Sequence, residues 1–291
     1  MAADERYRID KAWTRRSFAH AADTYDRAAA LQREVGAQLL ERLDLVKLQP
    51  TRVLDLGSGT GDISHALLRR YRKARVISLD IAFTMAQRSR RRGGWLRRPM
   101  AVCADAERLH FADRSFELLI SNLMLQWCQD LDSAFAEFRR VLAPGGLLLF
   151  TTFGPDTLKE LRHSWRQVDN HTHVNAFLDM HDIGDALLRA GLAEPVMDVE
   201  RMAVTYPDVR GLMRDLKELG AHNVTAGRNH ALTGPRKLQR MLEAYEGFRQ
   251  DGRLPASYEV VHGHAWSVPR GQSQVTRDGE VRIPLDALRR R

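Results

Sequence analysis

Asp55, Gly57, Gly59, Gly61, Asp80 and Asp105 are ordered along this chain as a receptor for a ligand that joins a positive charge to a sugar. The three alternate glycines leave a bare backbone that a ligand can approach closely, and a turn of this kind needs positive φ at some positions. Asp55 stands two residues before the first glycine, where it would repel a phosphate but not a cation. The Gly-x-Gly-x-Gly spacing also differs from the Gly-x-Gly-x-x-Gly that rests a pyrophosphate on a helix N-terminus. A hydride-transferring dehydrogenase is set aside on that ground. Asp80 follows the loop by about 20 residues, where a carboxylate can accept both ribose hydroxyls of an adenosine.

Such groups need a strand, a turn and a helix to hold them. The apolar run at 52–56 leads into the glycines, and Ile63, Leu67 and Leu68 then recur at helical spacing, the layout of a ligand site in an open α/β sheet. Further strands are predicted at 74–80, 99–105, 116–122 and 147–153. A helix is predicted at 131–142, ended by Ala143-Pro144-Gly145-Gly146. Asn122, Leu123 and Trp127 fall just beyond the fourth strand, at the carboxyl edge where open sheets bind ligands.

Residues 7–48 read as helical, with Phe18, Ala22 and Tyr25 on one face, suited to a cap over a pocket. Helices and loops fill 155–190. Two last strands are predicted at 196–206 and 258–266. The helical stretch between them, 209–249, is too long for a hairpin turn and reads as a lid over the ligand. The expected organisation is a cap at 1–48, a core at 49–206 and 257–266, a lid at 207–256 and a loose tail at 267–291. The expected fold is α/β, a Rossmann-like seven-stranded sheet.

With 291 residues, 44% of them hydrophobic and 28% charged, the chain can bury a substantial core. It holds no apolar stretch near the roughly 20 residues that cross a bilayer. Early acids at Asp4 and Glu5 and the absence of an apolar core argue against a secretory signal. Two cysteines make no disulfide framework and suit a reducing cytoplasm. The net charge of +8 is compatible with nucleic acid, but no recognition helix, zinc knuckle or aromatic RNA-binding motif accompanies it. An acidic protein partner satisfies the same charge balance. The cations from Arg88 to Arg98 read mainly as a solvated helix end and loop. His171, His173 and His181 lack a companion thiolate or carboxylate pair at metal-ligand spacing, so no metal is expected.

Asp55-Leu56-Gly57-Ser58-Gly59-Thr60-Gly61 resembles the first motif of the class I S-adenosylmethionine-dependent methyltransferases. Arg-Val-Leu-x-Pro-Gly-Gly at 140–146 is a second shared feature. The resemblance implies that the loop passes under the methionine end of the cofactor. It also implies that Asp105 and Ala106 meet adenine, that Asn122 bonds the methionine part, and that Leu123 and Trp127 surround the sulfonium. Ser17-Phe18, Ala21-Ala22, Tyr25, Leu31-Gln32, Ser121-Asn122-Leu123, Gln126-Trp127, Leu216-Lys217, Gly220-Ala221 and Gly227-Arg228 narrow it. Together they resemble the malonyl-[acyl-carrier protein] O-methyltransferase family of biotin synthesis, from about residue 10 to residue 266.

That family's activity is methyl transfer from S-adenosylmethionine to the free carboxylate of a malonyl thioester on an acidic carrier protein. A carboxylate is ionised at neutral pH and needs no general base. Catalysis then reduces to alignment and desolvation. A cation must orient the carboxylate. Lys217 and Arg228 in the lid are the first choices, Arg140 and Arg162 the others, and Tyr25 is a further candidate contact. The rival readings are a related arginine hydroxylase of the complex I assembly type and a non-catalytic protein that only binds S-adenosylmethionine. A ubiquinone-type C-methyltransferase fits the insertion less well.

Overall fold

The computed structural model describes residues 8–93, 97–228 and 233–268, together with the backbone of 274–275 and 281–282. The cap contains α1 (Lys11–Ala21), α2 (Tyr25–Ala28) and α3 (Ala30–Glu41), closed by a 3-10 turn at Arg42–Leu45. The core then runs β1 (Arg52–Leu56), α4 (Asp62–Arg70), β2 (Arg75–Asp80), α5 (Phe83–Arg92), β3 (Met100–Cys103), β4 (Phe116–Asn122), α6 (Leu131–Val141) and β5 (Leu142–Phe153). The second half adds α7 (Lys159–Arg166), α8 (Met180–Arg189), β6 (Leu192–Tyr206), α9 (Val209–Glu218), α10 (Pro235–Glu246) and β7 (Leu254–Ser267). The seven strands form one sheet in the order β3-β2-β1-β4-β5-β7-β6. β7 is antiparallel to both of its neighbours, and the other neighbouring pairs are parallel.

Alternation along the strands explains why helices cover both faces. Val53, Val76, Leu118, Ile120, Leu147 and Leu149 pack with Leu39, Leu43, Ile63 and Leu67 of α3, its following turn and α4. Leu54, Leu56, Leu119, Leu148 and Phe150 point the other way, against Phe135 and Phe138 of α6 and Ile183 and Leu187 of α8. Buried parallel strands need both covers, because neither face can be left to water.

The helical stretch predicted at 7–48 is divided in three. Thr24 Oγ1 donates to the Ala21 carbonyl at 3.1 Å and to the Glu218 carbonyl at 2.7 Å, closing α1 and tying the cap to the lid. Short hydroxyl side chains offer such alternatives to helical bonding. The Pro-Gly-Gly break predicted before the fifth strand is a bulge inside β5. Pairing starts at Phe116↔Leu142 and resumes, shifted, at Leu118↔Leu147.

β6 and β7 remain paired out to Tyr206↔Leu254, whereas β5 follows β7 only as far as Phe153↔Val260. The extra length is a two-stranded ribbon that carries α9 and α10. Leu254, Ala256 and Tyr258 on it share a core with Leu212, Met241, Tyr245, Leu158 and Trp165. The tail expected to be loose contains an antiparallel pair, β8 (Gln274–Val275) with β9 (Val281–Arg282). Residues 269–273, 276–280 and 283–291 of that tail lie outside the described residues, as do 94–96 of the basic run. No helix among the described residues is long and apolar enough to cross a membrane.

Candidate active site

Two hydrogen bonds tie the glycine loop to the end of β2, and a third fixes the Asp80 carboxylate that takes part. Ser58 donates its N–H to the Leu79 carbonyl at 2.9 Å. Gly59 donates to Asp80 Oδ2 at 2.9 Å, and Ala82 donates to Asp80 Oδ1 at 2.8 Å. Asp80 therefore braces the loop as well as facing the cavity beside it. Burial pushes its carboxyl up to about 6, against the opposing pull of the two backbone donors.

Gly57 and Gly59 line that cavity and Gly61 does not. All three have positive φ. A Cβ on Gly57 would lie 2.3 Å from Met124 Cγ, and one on Gly61 would lie 2.7 Å from the Ser89 Cα. Gly57 thus keeps the cavity floor open, while Gly61 lets α4 begin against α5.

Asp55 also lies away from this cavity. It is buried behind the loop, with Ser64 Oγ donating to its Oδ2 at 2.5 Å. Burial pushes Asp55 up to about 7, partly opposed by Ser64 and reinforced by the charge of Asp80. It borders a second hollow beneath the loop, beside Gly36, Ser58 and Asp62.

The remaining predicted cofactor positions converge on the cavity: Asp80, Asp105, Ala106, Asn122, Leu123 and Trp127 all line it. Asn122 arrives with both ends of its amide engaged. Its Nδ2 donates to the Gln32 carbonyl at 2.9 Å, and its Oδ1 accepts from Thr151 Oγ1 at 2.8 Å. Leu123 takes φ +51°, and its N–H donates to the Thr151 carbonyl at 3.1 Å. A branched-chain residue held in the left-handed region is the kind of backbone strain found at binding sites.

The cap supplies the opposite wall. Phe18 meets Trp127 edge to face, ring centroids 5.1 Å apart. The Tyr25 ring stands over the loop, 3.8 Å from where a Gly59 Cβ would be. Burial and the nearby Asp80, Asp62 and Asp26 carboxylates raise the Tyr25 phenol, which stays protonated. Thr60 and Arg92 both bond Asp26, locking α2 to the loop.

Lys11 was not legible from sequence. Its Nζ pairs with Asp105 at 2.5 Å and with Glu107 at 2.7 Å, so the first helix fastens onto the far end of the cavity. It sits among several N-terminal cations, and no spacing distinguished it. Met124 also lines the cavity with no sequence signal to mark it, and Gln32, legible only as part of the family resemblance, stands there too.

A second cavity opens beneath the lid and shares Gln32, Trp127, Phe153, Leu219 and Ala221 with the first. Its walls are largely apolar, including Leu158, Trp165, Phe177, Met213, Leu216 and Tyr258, and Lys217 and Arg228 bring charge to it. Lys217 has no carboxylate partner among the described residues. Arg228 is already engaged: it donates to the Thr225 carbonyl at 3.0 Å, lies 3.5 Å from Asp10 Oδ2 and stacks over Trp13 at 5.2 Å.

Arg140 and Arg162 line neither of these cavities. Arg140 is bound by Glu137, Asp113 and the Leu109 and Phe111 carbonyls. Arg162 donates to the Pro155 and Thr157 carbonyls. His173 is clamped between Asp169, at 2.8 Å, and the parallel Trp165 ring, centroids 3.8 Å apart. His181 pairs with Asp179. Among the described residues no group of three His, Cys, Asp or Glu side chains is placed to hold a metal ion.

Comparison with known proteins gives this geometry its relatives. The methyltransferase domain family matches residues 54–150. A malonyl-[acyl-carrier protein] O-methyltransferase of Methylovorus sp. (strain MP688) is 57% identical, covering 94% of this chain and 97% of that protein. One from Halorhodospira halophila is 51% identical, covering 97% of each. The chain belongs to the malonyl-[acyl-carrier protein] O-methyltransferase family. The fold is also that of a solved putative methyltransferase from Bacillus halodurans, which superposes with a TM-score of 0.57 at 18% identity over 80% of this chain and 99% of that one.

S-adenosylmethionine is the cofactor of a methyltransferase of this family, and the residues present fit it. A Cβ at Gly57 would collide with Met124, so that stretch of the cavity lining is bare backbone packed against the Met124 side chain. The cavity is also flanked by the carboxylates of Asp80 and Asp105, acceptors for the hydroxyls and amine of an adenosine.

Proposed function

We infer that this chain methylates the free carboxylate of malonyl-[acyl-carrier protein], giving the methyl ester that starts pimeloyl and biotin synthesis. The observation that carries the reading is the common wall of the two cavities. Trp127, Phe153 and Leu219 separate a carboxylate-flanked adenosine site from an apolar chamber with its own cations. A donor and an anionic acyl group would meet at that wall.

When bound, S-adenosylmethionine supplies a methyl group activated by positive sulfur. Asp80 accepts the ribose hydroxyls, Asp105 and Ala106 take the adenine, and Gly57 and Gly59 let the methionine end pass. Asp55 and Gly61 act from behind, holding the loop on α4 and α5. Asn122 presents Leu123 at the methionine end through its bonds to Gln32 and Thr151. Lys217 turns the substrate carboxylate towards the shared wall. Arg228, fixed by Thr225, Asp10 and Trp13, adds a stationary positive field. Tyr25 covers the loop as a neutral phenol and keeps water out.

The carboxylate is ionised at neutral pH, so the chain needs no base and contributes alignment, worth several kcal/mol in such reactions. The partner is an acidic carrier protein in the cytoplasm. Free Cys103 and Cys128 support a reducing compartment.

The test is incubation with labelled S-adenosylmethionine and malonyl-carrier protein. Label in a base-labile methyl ester is expected. Absence of transfer by a protein that still binds the cofactor would overturn the reading.

A further inference from the structure

Helix α9 carries a row of cations that nothing in the fold uses. Val209 and Leu212 are buried, and Met213 and Leu216 pack with them on the lid core. Arg210, Arg214 and Lys217 follow the i, i+4, i+7 pattern, within an arc of about 60° at 3.6 residues per turn. All three are exposed, and none has a carboxylate partner among the described residues. Of the two acids on α9, Asp215 lies about 100° round the helix from Arg214 and accepts from the Tyr206 hydroxyl at 3.0 Å, while Glu218, four residues after Arg214, forms no ion pair with it. The last cation of the row, Lys217, lines the second cavity.

Other helices with exposed cations lack that connection: Arg15 and Arg16 of α1 and Arg236 and Arg240 of α10 are exposed, but none of them lines the second cavity. On α5, Arg88 pairs with Asp23, and Arg92 pairs with Asp26 and Asp62. Arg90 and Arg91 are exposed, but no residue of α5 lines either cavity. Unpaired charge on α9 is therefore the charge that leads to the acyl chamber.

We propose that the carrier protein docks on the α9 ridge, setting an acidic surface against Arg210 and Arg214 while its acyl thioester passes Lys217 into the second cavity. This rests on the function inferred above. Like-signed side chains that stay solvated at the rim of an interface steer the approach of a complementary surface over a distance set by salt. Binding through the ridge also places the thioester arm at the mouth of the chamber without any change in the sheet.

The experiment compares initial rates on malonyl-carrier protein and on a small malonyl thioester, malonyl-N-acetylcysteamine. The proteins are the wild type, Arg210→Glu/Arg214→Glu, the milder Arg210→Ala/Arg214→Ala, and Arg90→Glu/Arg91→Glu as the α5 control. The α9 charge reversal is expected to lower kcat/KM for the carrier-protein substrate by about tenfold or more, as loss of electrostatic steering does. The alanine pair is expected to lose less, and the wild-type advantage should shrink as salt rises. The small thioester and the α5 control should be unaffected.

Equal losses on both substrates, no loss on either, or a loss that follows α5 instead would each overturn the docking site while leaving the inferred function standing. A wild type that methylates neither thioester would overturn the function, and the docking site with it.

Discussion

Gly59 donates its backbone N–H to Asp80 Oδ2 at 2.9 Å, so the bare loop and the acid at the end of β2 form a single unit. The residue assigned to ribose also sets the height of the loop that the ligand crosses. Binding and loop geometry should consequently fail together.

Asp80→Ala should weaken S-adenosylmethionine binding by about five- to 150-fold, the loss of about 1–3 kcal/mol expected when buried hydrogen-bonding groups lose their partner. Titration calorimetry checks the affinity, and a thermal melt separates it from unfolding. An unchanged affinity would remove Asp80 from the ribose.

Cofactor binding near pH 6 should release protons. Burial holds the Asp80 carboxyl up to about 6 in the free protein. A ligand that presents hydroxyls and a positive charge favours the ionised form and pulls that value down. Calorimetry in buffers of different ionisation enthalpy reads the release directly. Proton uptake would show that Asp80 meets the ligand as a neutral acid.

Asp55→Asn should alter how stability depends on pH. Asp55 is raised in the fold to about 7 from an ordinary carboxylate value, so the folded protein binds the extra proton between those limits. Its contribution is fully present below about pH 4 and is lost as pH rises through 7, at no more than about 1.4 kcal/mol per pH unit. Without cofactor, wild-type stability should fall relative to Asp55→Asn over that window. Parallel curves from denaturant titrations at pH 5 and pH 7 would contradict the burial argument.

Lys217→Ala and Arg228→Ala should behave differently. Lys217 has no carboxylate partner among the described residues, so its removal should raise the KM for the malonyl substrate about tenfold or more, the worth of a charge-assisted hydrogen bond, with melting temperature and cofactor affinity kept. Arg228 is built into the lid through Thr225, Asp10 and Trp13, and its removal should also cost about 1–3 kcal/mol of stability. Equal losses of stability in both would place Lys217 in the structure rather than at the substrate.

Much of the sheet could be read along the chain because its signals are local. Glycines at 57, 59 and 61, the acids closing the runs at 74–80 and 99–105 and the unbroken apolar run at 147–150 report strand, turn and helix within a few residues of themselves. The cap was legible as helix but not as three helices. The first of its breaks falls at Thr24, whose hydroxyl reaches the carbonyl of Glu218, 194 residues further along the chain. Local periodicity carries no trace of a bond between residues so far apart.

The distribution of roles within the site divides in the same way. The order of residues along the chain was enough to establish an α/β sheet, a loop suited to a cationic adenosine ligand, the acids at 80 and 105, and a helical insertion near the last strands. Only the tertiary structure decided that Asp55 and Gly61 do not line the first cavity, that Lys11 fastens the cap to Asp105, and that Lys217, unlike Arg228, has no carboxylate partner among the described residues. The reason is physical. A backbone turn is specified by neighbours in sequence, whereas the partner of a side chain is whatever the packing of distant helices brings within a few ångströms of it.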